Sequence, residues 1–434
     1  MQGALEAILK RFITIGRVTV HWPDGRTTRY GAAPDFPTQP APTPGHGGFA
    51  QDVGFQIRDA RTIRHILFDP ELAVGEALAD GRVVPVGCTL YDLFDLIVRN
   101  YRANAGVHPV GRLRNLLGRA VRQLHQYNPA ARSRRNVAHH YDLNGRLYSL
   151  FLDRDRQYSC AYFATGSETL EEAQSAKKHH IAAKLCLDRP GLHVLDIGCG
   201  WGGMALTLAR DYGARVTGIT LSSEQLFEAR ARTASEGLDH LVTFELLDYR
   251  ALADRTPDRR FDRIVSVGMF EHVGIGHFDA FFGAVGRALH PDGVALLHAI
   301  GRTHGAGHTS PWITKYIFPG GYCPALSEVL PPIERSGLIA TDIEILRLHY
   351  AETIRHWRRR FAANRDTIAA IYDDRFCRMF ELYLVASELA FRHESHMVFQ
   401  IQLARSQTAT PLTRDYIPSA KHRAVFSTTE NSRF

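Results

Sequence analysis

The sequence predicts an α/β fold: a doubly wound sheet in the later, larger part of the chain, with a smaller α/β unit ahead of it. Three observations carry that expectation. From about residue 136 onward, apolar strand-like runs alternate with helical patterns, as a doubly wound sheet requires. One of those runs, 193–197, ends in a cluster of glycines and then a helical pattern. With 434 residues the chain exceeds the usual single-domain size, so two domains are expected.

Taken in order, the first element is an alternating, strand-like run from Phe12 to His21, closed by the turn signal Pro23-Asp24-Gly25. Residues 36–48 are too rich in proline and glycine for regular structure. A strand over 55–58 and helices over 61–68, 71–79 and 91–98 complete a small α/β domain, 1–103. Residues 104–135 form a basic bridge. Val110, Leu113, Leu116, Leu117, Val121 and Leu124 recur at helical spacing, among Arg112, Arg114, Arg119, Arg122, Arg132, Arg134 and Arg135. Such a segment reads either as a linker helix with solvated arginines or as an element lying on an anionic membrane surface. The third span, 136–404, holds strand candidates at 193–197, 215–219, 242–246, 261–267, 293–299 and 339–347. Helix candidates are 201–212, 222–236 and 276–289, followed by a long helical stretch over 350–362 and 366–394. Residues 405–434 are polar, carry Pro411 and Pro418, and read as a loose tail.

Composition narrows the function classes. No run of about 18 apolar residues exists, so no bilayer-spanning helix is expected. The first residues lack a basic start followed by an apolar core, which argues against secretion. Six cysteines are scattered without C-x-x-C pairs, the pattern of a reduced cytoplasmic protein without a zinc site. A net charge of +7 suits an anionic partner, either nucleic acid or lipid, without choosing between them.

The most informative stretch is Val194-Leu-Asp-Ile-Gly-Cys-Gly-Trp-Gly-Gly203. Its order differs from the dinucleotide fingerprint G-x-G-x-x-G, and no P-loop lysine follows. Asp196 stands at the strand end, where it would hold a cationic or hydroxylated ligand rather than a pyrophosphate. A glycine-rich turn alone is often no more than a tight connection. The pattern Asp-x-Gly-x-Gly-x-Gly after an apolar strand nevertheless resembles motif I of the Rossmann-like class I methyltransferases that bind S-adenosylmethionine. On that resemblance Asp196, Gly198, Gly200, Trp201 and Gly202 line the methyl-donor site. Thr220 and Gln225, after the second strand, replace the acid that many methyltransferases offer to the ribose. Asp248 and Tyr249, after the third strand, flank the adenine, with the Tyr249 ring available for stacking.

Longer motifs sharpen the reading. Residues 136–143 (Asn-Val-Ala-His-His-Tyr-Asp-Leu), 158–163 (Tyr-Ser-Cys-Ala-Tyr-Phe), 268–274 (Gly-Met-Phe-Glu-His-Val-Gly), 296–301 (Leu-Leu-His-Ala-Ile-Gly) and 315–321 (Lys-Tyr-Ile-Phe-Pro-Gly-Gly), with Tyr350 and Trp357, follow in order. Together they resemble the cyclopropane-fatty-acyl-phospholipid synthase family and its mycolic-acid cyclopropane synthase relatives. The resemblance runs from about 136 to 403, with looser echoes at Gly75-Glu76-Ala77 and Asp80-Gly81. It implies that Tyr158 and Ser159 join the donor site, and that a bicarbonate ion beside the donor is held by Cys160, Glu271, His298, Ile300 and Tyr350. Cys160 and Ile300 would act through backbone groups and Tyr350 through its hydroxyl, with Glu271 and His298 orienting the ion. Each has an ordinary alternative: a helix N-terminal acid for Glu271, a satisfied core histidine for His298, a small buried hydrophobe for Cys160. Tyr162, Phe163, Phe270 and Phe318 are candidates for lining the site, with simple packing as the alternative.

The implied chemistry suits these residue types. An isolated cis double bond is a poor nucleophile and needs a sulfonium methyl held close and in line. The resulting carbocation needs a dry, apolar slot, and a base must remove one proton before a ring closes. The implied product is a cyclopropane on unsaturated phospholipid acyl chains, with a methyl branch or exocyclic methylene as the nearest alternatives. A small-molecule amine N-methyltransferase is more distant, because residues 1–103 have no use there. A lipid-binding protein that kept the fold would have lost site residues, and none is missing; nucleic-acid methylation rests on charge alone. The implied setting is cytoplasmic and peripheral to an anionic membrane, without nucleic acid, and homodimerisation through 1–103 is expected by family likeness. The chain departs from the family at Asn144-Gly145, where Gly-Asn is common, and at Ser387-Glu388, where a cysteine is common. The 36–48 insertion and the tail also lack a counterpart.

Overall fold

The computed structural model describes residues 1–32, 50–104, 145–252 and 260–419. The proline-rich segment 36–48, the basic bridge from 105 on, the 136–143 motif and the tail beyond 419 therefore lie outside the described residues. The chain divides into two compact units. The first gathers the start of the chain with 309–317 and 354–395; the second holds the rest of the described chain. Those two later segments fall within the 136–404 span of the sequence division.

In the first unit, strands β1 (Arg17–His21), β2 (Thr27–Gly31), β3 (Asp52–Ile57) and β4 (Val83–Val86) form a sheet of order β2-β1-β3-β4. The β1–β2 hairpin turns at Gly25, whose φ of +82° suits glycine. Asp24 stabilises the turn by accepting from the Arg26 amide at 3.0 Å. The strand expected over 12–21 is confined to 17–21, because Gln2–Phe12 is helical and Leu5 is buried beneath it. Helices Ala60–Phe68 and Pro70–Ala79 begin at aspartates 59 and 69, which accept from the Thr62 and Leu72 amides.

Among the described residues the second unit carries seven strands, with β10 (Ile339–Leu346) and β11 (His396–Ala404) at one edge, in the order β10-β11-β9-β8-β5-β6-β7. The parallel set is β5 (His193–Ile197), β6 (Arg215–Thr220), β7 (Val242–Leu246), β8 (Phe261–Val267) and β9 (Leu289–Arg302). Helices Gly203–Tyr212, Ser223–Ser235 and Phe278–Ala288 cross between them. Alternate residues of β5 feed opposite faces. Leu195 and Ile197 join a core with Phe281 and Phe282, whereas Val194 joins one with Leu206 and Leu208. The chain runs outward from β5 through β6 to β7 and returns at β8. That reversal opens a crevice at the carboxyl ends of β5 and β8.

Several elements were not read from the sequence, helix Leu170–Lys184 among them, and two further departures bear on the sheet and the helices after it. The first is β11 (His396–Ala404), which pairs antiparallel with β9 and with β10 (Ile339–Leu346). It is buried along almost its whole length, so its alternation of apolar residues with Gln400 and Gln402 is easily taken for the end of the preceding helix. The second is a break in the 366–394 helical stretch, which is two helices, Arg365–Ile371 and Asp374–His393. The Asp373 carboxylate starts the latter by accepting from the Phe376 amide at 2.6 Å. The tail is not loose where it is described. The Tyr416 hydroxyl accepts from Gln402 Nε2 at 2.6 Å and Ile417 is buried.

Candidate active site

The glycine loop follows β5 directly. Gly198 has φ +83°, and a Cβ there would lie 2.7 Å from the Met269 side chain. Gly202, also at φ +83°, opens helix Gly203–Tyr212, and a Cβ there would strike Phe244 at 2.7 Å. Both need glycine on two counts, conformation and space.

A cavity of about 1110 Å³, its open mouth included, lies over this loop. Tyr158, Ser159, Asp196, Gly198, Gly200, Trp201, Thr220, Gln225, Asp248 and Tyr249 all line it. Gly202 does not line the cavity. It belongs to the packing of the helix start against Phe244, so the wall residue expected there is a structural one. Met269, His272 and Arg250 add to the lining.

Asp196 is fully buried and its Oδ2 has no hydrogen-bond partner. Burial pushes its carboxyl up to about 7, with the nearby Lys177 charge opposing. A ligand ammonium or hydroxyl would satisfy that oxygen. The Thr220 hydroxyl donates to Gln225 Oε1 at 2.9 Å and accepts from the Ser222 amide at 3.2 Å, so the pair presents the Gln225 amide as its donor. Asp248 is gripped by Arg250, which donates Nε to Oδ1 at 2.9 Å and Nη2 to Oδ2 at 2.7 Å. The same guanidinium sits 5.6 Å from the centre of the Tyr249 ring, beside the expected adenine position. Trp201 packs on Tyr148 at 4.9 Å, and its carbonyl accepts from Arg232 at 2.8 Å. Arg156, a left-handed residue at φ +55°, pairs with Glu228 and reaches the Trp201 ring.

Cys160, Glu271, His298, Ile300 and Tyr350, the five residues expected around the base, do not line this cavity. A chain of contacts gathers their segments. The Ala161 amide, next to Cys160, donates to Thr353 Oγ1 at 3.0 Å, one turn along the same helix from the buried Tyr350. Gly268 donates its amide to the His298 carbonyl at 2.9 Å, and its Cβ direction points at Ser159, 3.7 Å away. The Ile300 amide donates to Glu271 Oε1 at 2.7 Å.

The last contact changes the role expected of Ile300, whose N–H is committed to orienting Glu271. Glu271 Oε2 is buried with no partner, and burial pushes the carboxyl up to about 7 despite the Ile300 bond. His298 Nδ1 meets Gln400 Nε2 at 3.1 Å across the β9–β11 ladder. With the Gln400 amide donating, the proton of the imidazole sits on Nε2. Burial and the Lys177 and Lys184 charges hold that imidazole neutral. Burial likewise pushes the Cys160 thiol well up, so it is not a thiolate. Phe270 is a packing residue: its ring stacks on Phe278 at 4.4 Å within the core. Tyr162 stacks between His180 at 4.3 Å and His349 at 5.0 Å.

These features fit the two groups that the motifs imply. Asp196 Oδ2 leaves one unsatisfied acceptor in a cavity large enough for a nucleoside-sized donor. Glu271 Oε2 leaves a carboxyl oxygen aligned by Ile300 for a small polar partner.

Sequence reading missed Lys177 and Gln174. Both are buried on helix Leu170–Lys184. Gln174 Nε2 donates to the Ser159 carbonyl at 2.9 Å, and Lys177 Nζ donates to Ser159 Oγ at 2.8 Å and Gln157 Oε1 at 2.6 Å. The available signal was their spacing: with Leu170, Ala173 and Ile181 they occupy the apolar stripe of the helix.

Comparison with known proteins agrees with this architecture. The model of the family described as mycolic acid cyclopropane synthetase matches residues 129–401. The cyclopropane-fatty-acyl-phospholipid synthase of Escherichia coli strain K12 is 44% identical over 266 residues, 61% of this chain and 66% of that protein. A probable fatty acid methyltransferase of Pseudomonas putida is 43% identical over 261 residues, 59% of this chain and 65% of that one. The matches therefore span just under two thirds of these relatives' lengths. Among solved structures, mycolic acid cyclopropane synthase CmaA1 complexed with SAH and CTAB superposes with a TM-score of 0.58 at 33% identity. It covers 64% of this chain and 99% of that one. Coverage by the family model of well over half the chain, on the sheet and motifs described above, makes this protein a member of the mycolic acid cyclopropane synthetase family.

Proposed function

We propose that this protein transfers the methyl group of S-adenosylmethionine to the cis double bond of an unsaturated phospholipid acyl chain and closes a cyclopropane ring. The observation that carries this reading is the pair of unsatisfied buried carboxyls. Asp196 lines the cavity, and Glu271, which does not, is held by the Ile300 amide. Methylation of a double bond needs a donor site and also a group that takes up the proton left after transfer, and the two carboxyls offer both. The names of the Escherichia coli and Pseudomonas putida relatives point to the same substrate class.

Asp196 would take the ammonium of the donor's amino-acid part, while Tyr249 and Arg250 flank its base. Tyr158, Trp201 and Met269 wall the cavity with apolar surface that keeps water from a carbocation. Cys160, His298 and Tyr350 are the neutral groups expected around the base. Glu271, oriented by the Ile300 amide, carries the oxygen able to exchange a proton there. Bicarbonate, when bound, supplies the base for the proton that leaves the new methyl group. Among the described residues no helix is long and apolar enough to cross a membrane, so the acyl chain would be met from the membrane surface. The excess of basic residues and the arginines of 104–135 suit anionic headgroups there.

The test is mass analysis of phospholipid fatty acids in cells that make no cyclopropane lipids and express this chain. The expected gain is one CH₂ with loss of the double bond and a ring signature. A gain with a methyl branch or methylene moves the product to those alternatives, and an unchanged profile overturns the reading. Glu271→Gln should lower the yield by about 10²–10⁴-fold while leaving S-adenosylhomocysteine affinity within about threefold. Undiminished turnover in that variant would remove Glu271 from the base site.

A further inference from the structure

The groups assigned around the base contain no cation. Cys160, Ile300 and Tyr350 are neutral, Glu271 is an acid, and the His298 imidazole is held neutral. An anion beside Glu271 would find no compensating charge in that set, and a buried anion without one is strongly disfavoured.

Lys177 offers the missing charge. It is fully buried, and its ammonium donates to Gln157 Oε1 at 2.6 Å and Ser159 Oγ at 2.8 Å, both neutral acceptors. Ser159 immediately precedes Cys160, and its side chain faces Gly268, which is bonded to the His298 carbonyl. The ammonium is therefore bonded to a residue of the cavity wall, Ser159, one position before Cys160. Its charge favours the ionised forms of Asp196 and Cys160 and the neutral form of His298. Burial, and to a lesser degree Lys178, pull the ammonium down to about 8, while Asp153 and Asp155 on the preceding loop support it, so it still carries its charge at neutral pH. Gln174, one turn earlier, fixes the Ser159 carbonyl, so the segment that receives the ammonium is anchored twice.

We propose that Lys177 is the positioning residue that supplies the positive charge for an anion held beside Glu271, acting across the Ser159–Cys160 segment. The proposal rests on the reading that an anionic base occupies that site. Lys177 makes and breaks no bond in the reaction. Its contribution is electrostatic, and it should appear in anion affinity rather than in donor affinity.

The experiment uses the full-length protein loaded with S-adenosylhomocysteine in carbonate-depleted buffer. Sodium bicarbonate is titrated while thermal stability is followed, and S-adenosylhomocysteine affinity is measured by calorimetry. Lys177→Met should raise half-saturating bicarbonate at least about tenfold while changing S-adenosylhomocysteine affinity less than about threefold, and Lys177→Arg should stay within about threefold of wild type in both. If Lys177→Met does not fold, Lys177→Gln, which keeps a donor for Ser159 and loses only the charge, takes its place with the same expectation. A folded, donor-binding uncharged variant with wild-type bicarbonate affinity overturns the role of Lys177. A wild-type protein that closes rings but does not respond to bicarbonate overturns the base-site reading itself, before any variant is compared.

Discussion

Asp196 and Glu271 are both buried carboxyls pushed up to about 7, with different neighbours. Asp196 feels the Lys177 charge, whereas Glu271 has the Ile300 amide. In the ligand-free protein each holds its proton between the ordinary carboxylate range and about 7, where the unfolded chain has already lost it. Stability from these two groups is therefore lost as pH rises through that window. Binding a cationic ligand at Asp196 works in the opposite direction, because the ionised form is the one that binds. Calorimetry should show S-adenosylhomocysteine affinity rising by up to about tenfold per pH unit below about 7 and levelling above it. Asp196→Asn should remove that slope and weaken binding at pH 8 by about 10–100-fold. A slope that survives in the variant would mean that another group takes the ligand's ammonium.

At the scale of elements, the donor cavity is built by three pieces pinned to one helix. Glu224, Glu228 and Arg232, four residues apart on Ser223–Ser235, hold the Gly145 amide, Arg156 and Asp155 respectively. Arg232 also holds the Trp201 carbonyl, so the same helix fixes both the glycine loop and the segment before Tyr158. Helix Gly203–Tyr212 must start close to this face, and Gly202 allows it. Gly202→Ala should cost about 1–3 kcal/mol, from the positive φ and the contact with Phe244, and lower the melting temperature by several degrees. A differential scan that matched wild type would show that Phe244 can move aside. The glycine pattern made this element legible in the sequence. Helix Leu170–Lys184 was less legible, because Gln174 and Lys177 sit where the stripe should be apolar, and a polar residue at such a position has meaning only once its partners are known.

At the scale of the whole molecule, the net charge of +7 and the arginines of 104–135 are properties of the sequence, the latter all outside the described residues. If they act on headgroups, raising salt from about 0.1 to 0.5 M should release the protein from anionic vesicles by at least about tenfold, with little effect on neutral vesicles. Replacing Arg112, Arg114, Arg119 and Arg122 with glutamine should remove most of that salt dependence in a sedimentation assay. Binding that ignores salt would assign the surface contact to apolar residues instead.

The alternation of strands and helices, with the strand-glycine-helix pattern at 194–203 among them, determined the α/β class and pointed to a ligand site at the end of β5. Local chemistry suffices there: only glycine tolerates those dihedrals, and an acid before them marks the strand end. Short motifs likewise named Cys160, Glu271, His298, Ile300 and Tyr350. The tertiary structure decided what those residues do to one another. It spent the Ile300 amide on Glu271, locked Asp248 to Arg250, placed β11 and its Gln400 beside His298, and set the ammonium of Lys177 against Ser159. These pairings join residues 2 to 102 positions apart, and burial sets their energies; a one-dimensional pattern records neither the distance nor the desolvation.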